Sequence, residues 1–234
     1  MDSLYEQYQR KLIELSEPQY QKFASSLLPD TNNVLGVRLP AIRKLAKDLA
    51  ASDWKAYFSQ NENVYFEETM LHGLTIGYIK EDFQTVLSEV QNFVPFISNW
   101  SLCDSFCGGL KITNMHKDHM WDFLMDYVNS DKPYYIRFAV VMMLNYYIDD
   151  DHIEEIIKLF DGINHENYYV KMGVAWALSM CYIKQPKKTI AYLEHNNLDD
   201  FTYNKTLQKI CESLKPSLDE KLLIKSMRRS TIKN

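Results

Sequence analysis

Apolar residues recur at steps of three and four along nearly the whole chain. Residues 4–15, 41–49, 64–79, 83–93, 100–112, 120–128, 134–148, 152–160, 168–183, 189–193, 201–214 and 218–227 each carry this spacing. It gathers the apolar side chains of a helix into one stripe. The breaks between segments carry start and stop chemistry. Asp53, Asp131 and Asp199 or Asp200 stand where an N-cap carboxylate would accept the first free amide hydrogens. Pro133 follows at a first-turn position, and Gly162 and Pro186 fall between segments. Residues 29–36, with Asp30-Thr31-Asn32-Asn33 inside, read as a loop. No linker rich in Gly, Ser or Pro divides the sequence, so residues 1–234 are read as a single all-α domain.

The pattern also repeats. Tyr134-Tyr135-Ile136-Arg137-Phe138-Ala139-Val140 aligns with Tyr168-Tyr169-Val170-Lys171-Met172-Gly173-Val174 at an offset of 34 residues. The next step lands on Lys205, and one step back from Arg137 lands on Cys103, beside Asp104. A period near 34 with two helices per period is the size of a helical-hairpin solenoid unit, and roughly six such pairs fit the chain. Stacking would place Arg137, Lys171 and Lys205 as a ladder on one face, roughly 10 Å apart at ordinary helix packing distances. Arg137 is the only arginine between Arg43 and Arg228.

Composition narrows the class. Gly and Pro number 7 each in 234 residues, about half their average share, which disfavours turn-rich β folds. The chain is 46% hydrophobic and 13% aromatic, too apolar for disorder. No GxGxxG or GxxxxGK[ST] string occurs, so no nucleotide-cradling loop is expected. The longest apolar run, residues 138–144, is too short to span a bilayer. The polar start Met1-Asp2-Ser3-Leu4 predicts no secretory leader, and four cysteines without framework spacing predict a reducing, cytoplasmic setting. Net charge is −5, unevenly spread: +1 over residues 1–50, −11 over 51–183 and +5 over 184–234. Basic ends can still form a local positive track.

The most unusual string is Asn99-Trp100-Ser101-Leu102-Cys103-Asp104-Ser105. Trp100 and Asp104 are four apart and share a helical face. An indole beside a carboxylate suits a cationic or planar ligand. The alternative is a core tryptophan, with Asp104 pairing Arg137 structurally. Trp176 offers a second aromatic wall or, within its apolar run, a core residue. Trp54 and Trp121 read as packing, Cys181 and Cys211 as small buried residues, and Cys103 with Cys107 does not make a metal site. Arg38 and Arg43 enter the first turns of a helix, against its dipole. Either they contact a ligand or they pair with Glu67 or Glu68.

These residues carry a resemblance. Leu35-Gly36-Val37-x-x-Pro40-x-x-Arg43-Lys44-Leu45 is similar to the N-terminal signature of the AlkD-like DNA alkylation repair family. Trp100-x-x-x-Asp104, Arg137 after two aromatics, and Trp176 within Gly173-Val174-Ala175-Trp176-Ala177-Leu178 resemble its later motifs in order and spacing. The resemblance implies a right-handed superhelix of HEAT-like repeats with a concave groove for duplex DNA. It implies excision of N3- and N7-alkylated purines by hydrolysis of the N-glycosidic bond, needing no metal or cofactor; a monomer is expected. Asp104 would stabilise the developing sugar cation and position water. Trp100 and Trp176 would contact the nucleotide's sugar face, and Arg137 would hold Asp104 and a backbone phosphate. Beside that resemblance, the basic ladder marks Lys171 and Lys205 as phosphate contacts, with Arg38 and Arg43 on the DNA-binding list. Two other readings stay open: a non-catalytic binder of DNA structures, and a protein-interaction scaffold favoured by the acidic middle.

Overall fold

The computed structural model describes residues 2–230 of the chain. Fourteen α-helices and two short 3-10 turns account for its regular structure, with no strand among the described residues. They divide into two compact units, Met1–His116 and Lys117–Asn234.

The first unit holds α1 (Leu4–Glu14), α2 (Pro18–Leu27), α3 (Leu39–Ala50), α4 (Trp54–Gln60), α5 (Phe66–Ile76), α6 (Phe83–Phe93) and α7 (Trp100–Cys107). The starts follow from side-chain oxygens. The Ser3 and Glu6 side chains cap α1 reciprocally, Asp53 and Asp82 accept the amides of Ala56 and Thr85, and Asn99 accepts that of Leu102 at the head of α7. The centre is α5. Nine of its residues, from Glu67 to Ile76, are buried, because α1, α3, α6 and α7 all pack on it. A helix apolar on every side suits such a position.

Two carboxylates enter this core on the first turn of α5. Glu67 is 1% exposed and Glu68 fully buried. Burying a carboxylate is costly unless its oxygens find donors. Glu67 accepts the backbone amides of Leu35 (2.9 Å), Gly36 (2.8 Å) and Val37 (3.1 Å). Glu68 accepts the Tyr5 hydroxyl (3.1 Å), the Gln9 amide group (2.8 Å) and the Tyr65 amide (3.0 Å). One glutamate thus fixes the loop ahead of α3, and the other ties α1 to α5. Gly36 lies at φ 84°, and a Cβ there would stand 2.5 Å from the Gln21 backbone nitrogen. Only glycine fits both the left-handed backbone and that close approach.

The second unit holds α8 (Lys117–Val128), α9 (Pro133–Tyr146), α10 (Ile153–Gly162), α11 (Tyr168–Lys184), α12 (Pro186–Glu194), α13 (Asp200–Glu212) and α14 (Leu218–Ser226). Here α9 packs on α11 and α11 on α13, with α8, α10, α12 and α14 supporting that row. This is the arrangement of a helical-repeat array, and the 34-residue period matches the step from α9 to α11 to α13. Asp199 caps α13 through the Phe201 and Thr202 amides.

Several boundaries differ from the sequence reading. The N-cap of α9 is Lys132, one residue past Asp131, and the Asp131 carbonyl faces the His165 ring instead. The segment read as 100–112 ends at Cys107, followed by Gly108-Gly109 and a 3-10 turn at Lys111–Met115. Helices α2 and α4 lie outside the periodic segments. The first buries none of its side chains, and the second spans only 7 residues, too few to display a period.

A buried imidazole gives this core a pH response. The His72 ring lies tilted 3.9 Å from the Phe58 ring and edge-on 5.0 Å from Phe93, and its Nδ1 has no hydrogen-bond partner among the described residues. Burial lowers its pKa to about 4. The unfolded imidazole takes its proton near pH 6.5, so between those values the unfolded state holds more protons and stability falls as pH falls. At pH 5 the loss should be about 2 kcal/mol. Thermal melts at pH 7 and pH 5 check this: His72→Phe should shrink the drop in Tm, and an unchanged drop would rule it out.

Candidate functional site

Trp100 and Asp104 stand on α7, one turn apart, and neither is fully buried. The Asn99 cap fixes the start of α7, and its packing on α5 fixes the other face through Leu102, Cys103, Phe106 and Cys107. The i, i+4 spacing then leaves the indole and the carboxylate together on the face that is not core. The indole is also tethered: Trp100 Nε1 donates to the Leu27 carbonyl at 3.2 Å, which links α7 to the end of α2. Trp100 is therefore a wall held by a hydrogen bond, between the ligand-facing and core readings of the sequence.

Arg137 lies on α9 at 5% exposure. Its Nη1 donates to the Tyr169 carbonyl, in the first turn of α11, at 2.6 Å. Gly173 makes this possible. It sits four residues after Tyr169 on the same face of α11, and a Cβ built there would meet Arg137 Nη1 at 3.4 Å and its Cγ at 3.6 Å. The guanidinium thus occupies the groove between two repeats, in space that side-chain atoms beyond Cβ at position 173 would claim. Trp176, further along α11, is half-buried, with Val174, Ala175, Ala177 and Leu178 around it in sequence fully packed. It is not a core tryptophan.

The basic residues differ in how far they are committed. Lys171 donates to Glu166 (3.0 Å) and lies 3.6 Å from Asp199. Partial burial works against its charge, but the two carboxylates outweigh this and hold its pKa above the ordinary lysine value. Lys205 donates to Gln208 at 2.9 Å and sits 5.8 Å over the Phe201 ring. Arg38 makes a two-bond fork with Glu17 (2.8 and 3.0 Å) and lies over the Tyr20 ring at 4.8 Å. Arg43 is half-buried and makes no hydrogen bond or ion pair among the described residues. Neither arginine takes Glu67 or Glu68; those carboxylates accept backbone amides and α1 donors instead.

The first unit also contains a cavity of about 270 Å³ among α2, α3, α5 and α7, lined in part by Tyr20, Glu67, Trp100, Ser101 and Ser105. In the sequence Glu67 stands only as an alternative partner for an arginine, and Ser101 and Ser105 only as members of the 99–105 string, with no role of their own. The available signals were a pair of adjacent glutamates in an otherwise apolar segment, and two hydroxyls at i, i+4 on either side of Asp104. Among the described residues, no group of three or more His, Cys, Asp or Glu side chains could hold a metal ion. No helix among them is long and apolar enough to cross a membrane.

The Arg137–Gly173 contact yields a graded test. Gly173→Ala just fits and relieves the helix of a glycine, so it should be neutral or stabilising by up to about 1 kcal/mol. Gly173→Val would drive the buried guanidinium off its carbonyl, and should cost about 2 kcal/mol or more. Chemical denaturation of both variants decides it: equal stabilities would mean that Arg137 does not need this space.

A search of curated proteins finds no match. Comparison with protein-family models, in contrast, matches residues 8–210 to the model described as "DNA alkylation repair enzyme". That span includes the loop at Gly36, the Trp100–Asp104 helix, Arg137 with its Gly173 groove, and Trp176, and on this match the chain belongs to the DNA alkylation repair enzyme family.

Proposed function

We propose that this protein excises N3- or N7-alkylated purines from duplex DNA by hydrolysing the N-glycosidic bond. The observation that carries the reading is the family match over residues 8–210, which takes in Trp100, Asp104, Arg137 and Trp176. The chemistry suits these side chains. An alkylated purine already bears positive charge, so it departs with the bonding electron pair and becomes neutral. The deficit appears at C1′ of the sugar as an oxocarbenium ion. The Asp104 carboxylate stabilises that cation, as fixed charge aimed at developing charge does. Water then attacks C1′, and its proton passes through the carboxylate to solvent. Trp100 and Trp176 supply aromatic faces for the nucleotide's sugar side. Arg137, held in the groove over Gly173, meets a backbone phosphate. Lys205, Arg43, Lys171 and Arg38 contribute phosphate contacts in proportion to how free their charge is.

The involvement of Lys171 with Glu166 and Asp199, and of Arg38 with Glu17, favours a second reading, in which the solenoid binds a protein partner and not DNA. It predicts no salt-dependent DNA affinity.

Duplex DNA containing 7-methylguanine discriminates. Free base should appear with the native protein and fall by a factor of about 10²–10³ in Asp104→Asn, the size of losing one electrostatic stabiliser. Release no greater than that of the variant would overturn the enzyme reading.

A further inference from the structure

Helix α2 is unusual in this fold because it buries no side chain. Polar bonds hold it instead. The Glu17 amide donates to the Gly36 carbonyl (3.1 Å), the Gln21 side chain to the Val34 carbonyl (2.6 Å), and Trp100 Nε1 to the Leu27 carbonyl (3.2 Å). The Arg38–Glu17 fork secures its start. Its apolar face, Tyr20, Ala24 and Leu27 at i, i+4 and i+7, looks onto the 270 Å³ cavity. So α2 roofs a chamber and does not pack against a core.

The chamber has a distinct chemistry. Its volume is close to the ~300 Å³ at which small-molecule sites begin. Aromatic side chains line it at Tyr20 and Trp100, and apolar ones such as Met70. Ser101 and Ser105, four apart on α7, present hydroxyls that make no hydrogen bond among the described residues. Glu67 brings a buried carboxylate that pairs with no cation among the described residues. Of its acceptor positions three are used, two on Oε1 and one on Oε2, so Oε2 can accept another N–H. Flat apolar walls, two free hydroxyls and one buried carboxylate with an acceptor position to spare together select a planar heterocycle with N–H donors.

We infer that the chamber between α2 and α7 binds a free purine-type base, as a site that shares Trp100 with the proposed catalytic site but does not include Asp104. The stacking walls are Tyr20 and Trp100, and the polar partners are Ser101, Ser105 and Glu67. The choice of a purine among planar heterocycles rests on the excision reading; the chamber's chemistry does not. In that setting the site would retain the released base.

Calorimetric titration of the full chain with adenine and with 3-methyladenine tests this, with toluene as an apolar probe lacking N–H groups. Saturable binding of at least one base is expected, tighter than that of toluene. Ala24→Trp, which fills the chamber from a helix that buries nothing, should weaken it by about tenfold or more, and Ser105→Val by a smaller factor. Circular dichroism confirms that each variant is folded. Binding of neither base, toluene binding as tightly, or affinities unchanged in both variants would each overturn the inference. Base release from alkylated DNA is read separately. Binding without release supports the chamber and removes the enzyme, and release without binding does the reverse.

Discussion

The first unit depends on one buried carboxylate. Glu67 takes three consecutive backbone amides, from Leu35 to Val37, into a core that would otherwise have to leave them without partners. Each amide left unbonded would cost about 1–3 kcal/mol. The clamp explains why the loop ahead of α3 has one shape and why Gly36 must be glycine. It also explains where the neighbouring helices go. α3 departs from the clamped loop, α2 is hung from it through the Gly36 and Val34 carbonyls, and α7 packs on the same helix that carries Glu67. Asp104 and Trp100 inherit their positions from that arrangement.

The second unit solves a related problem with the opposite charge. Arg137 is buried between two repeats, and a guanidinium there needs acceptors and room. The Tyr169 carbonyl supplies the first, and the missing side chain of Gly173 supplies the second. A lysine could not do the same, because a planar fork can bond a carbonyl with one nitrogen and still present others. This fits the repeat pattern, in which only the α9 position carries arginine and its α11 and α13 counterparts, Lys171 and Lys205, carry more exposed lysines.

Much of this was legible in the sequence, and the gaps have physical causes. Helices α9 and α11 are long and strongly apolar, and α5 buries nine of its 11 residues, so the apolar positions along the sequence identified them. The period of 34 identified the row of α9, α11 and α13. Helix α2 was missed although Tyr20, Ala24 and Leu27 have helical spacing, because polar bonds and not burial hold it in place. Glu67 enters the sequence reading only as one alternative partner, with Glu68, for Arg38 or Arg43, because sequence counts charges; its partners in the structure are backbone amides, which every sequence contains. The same blindness hid Gly173, whose role appears only once Arg137 is seen against it. Sequence order brought Trp100, Asp104, Arg137 and Trp176 onto one list; their surroundings, a tethered indole, a half-buried indole and a buried guanidinium, required coordinates.

The central chemical claim is that a fixed carboxylate on α7 recognises positive charge developing on a sugar. Its most direct test is an affinity difference. Duplex DNA with a cationic pyrrolidine ring in place of one deoxyribose mimics that charge, and the neutral tetrahydrofuran analogue has the same shape without it. The native protein should bind the cationic duplex at least about tenfold more tightly, as enzymes bind transition-state mimics, and Asp104→Asn should abolish the difference. Equal affinity of the native protein for the two duplexes would contradict the claim.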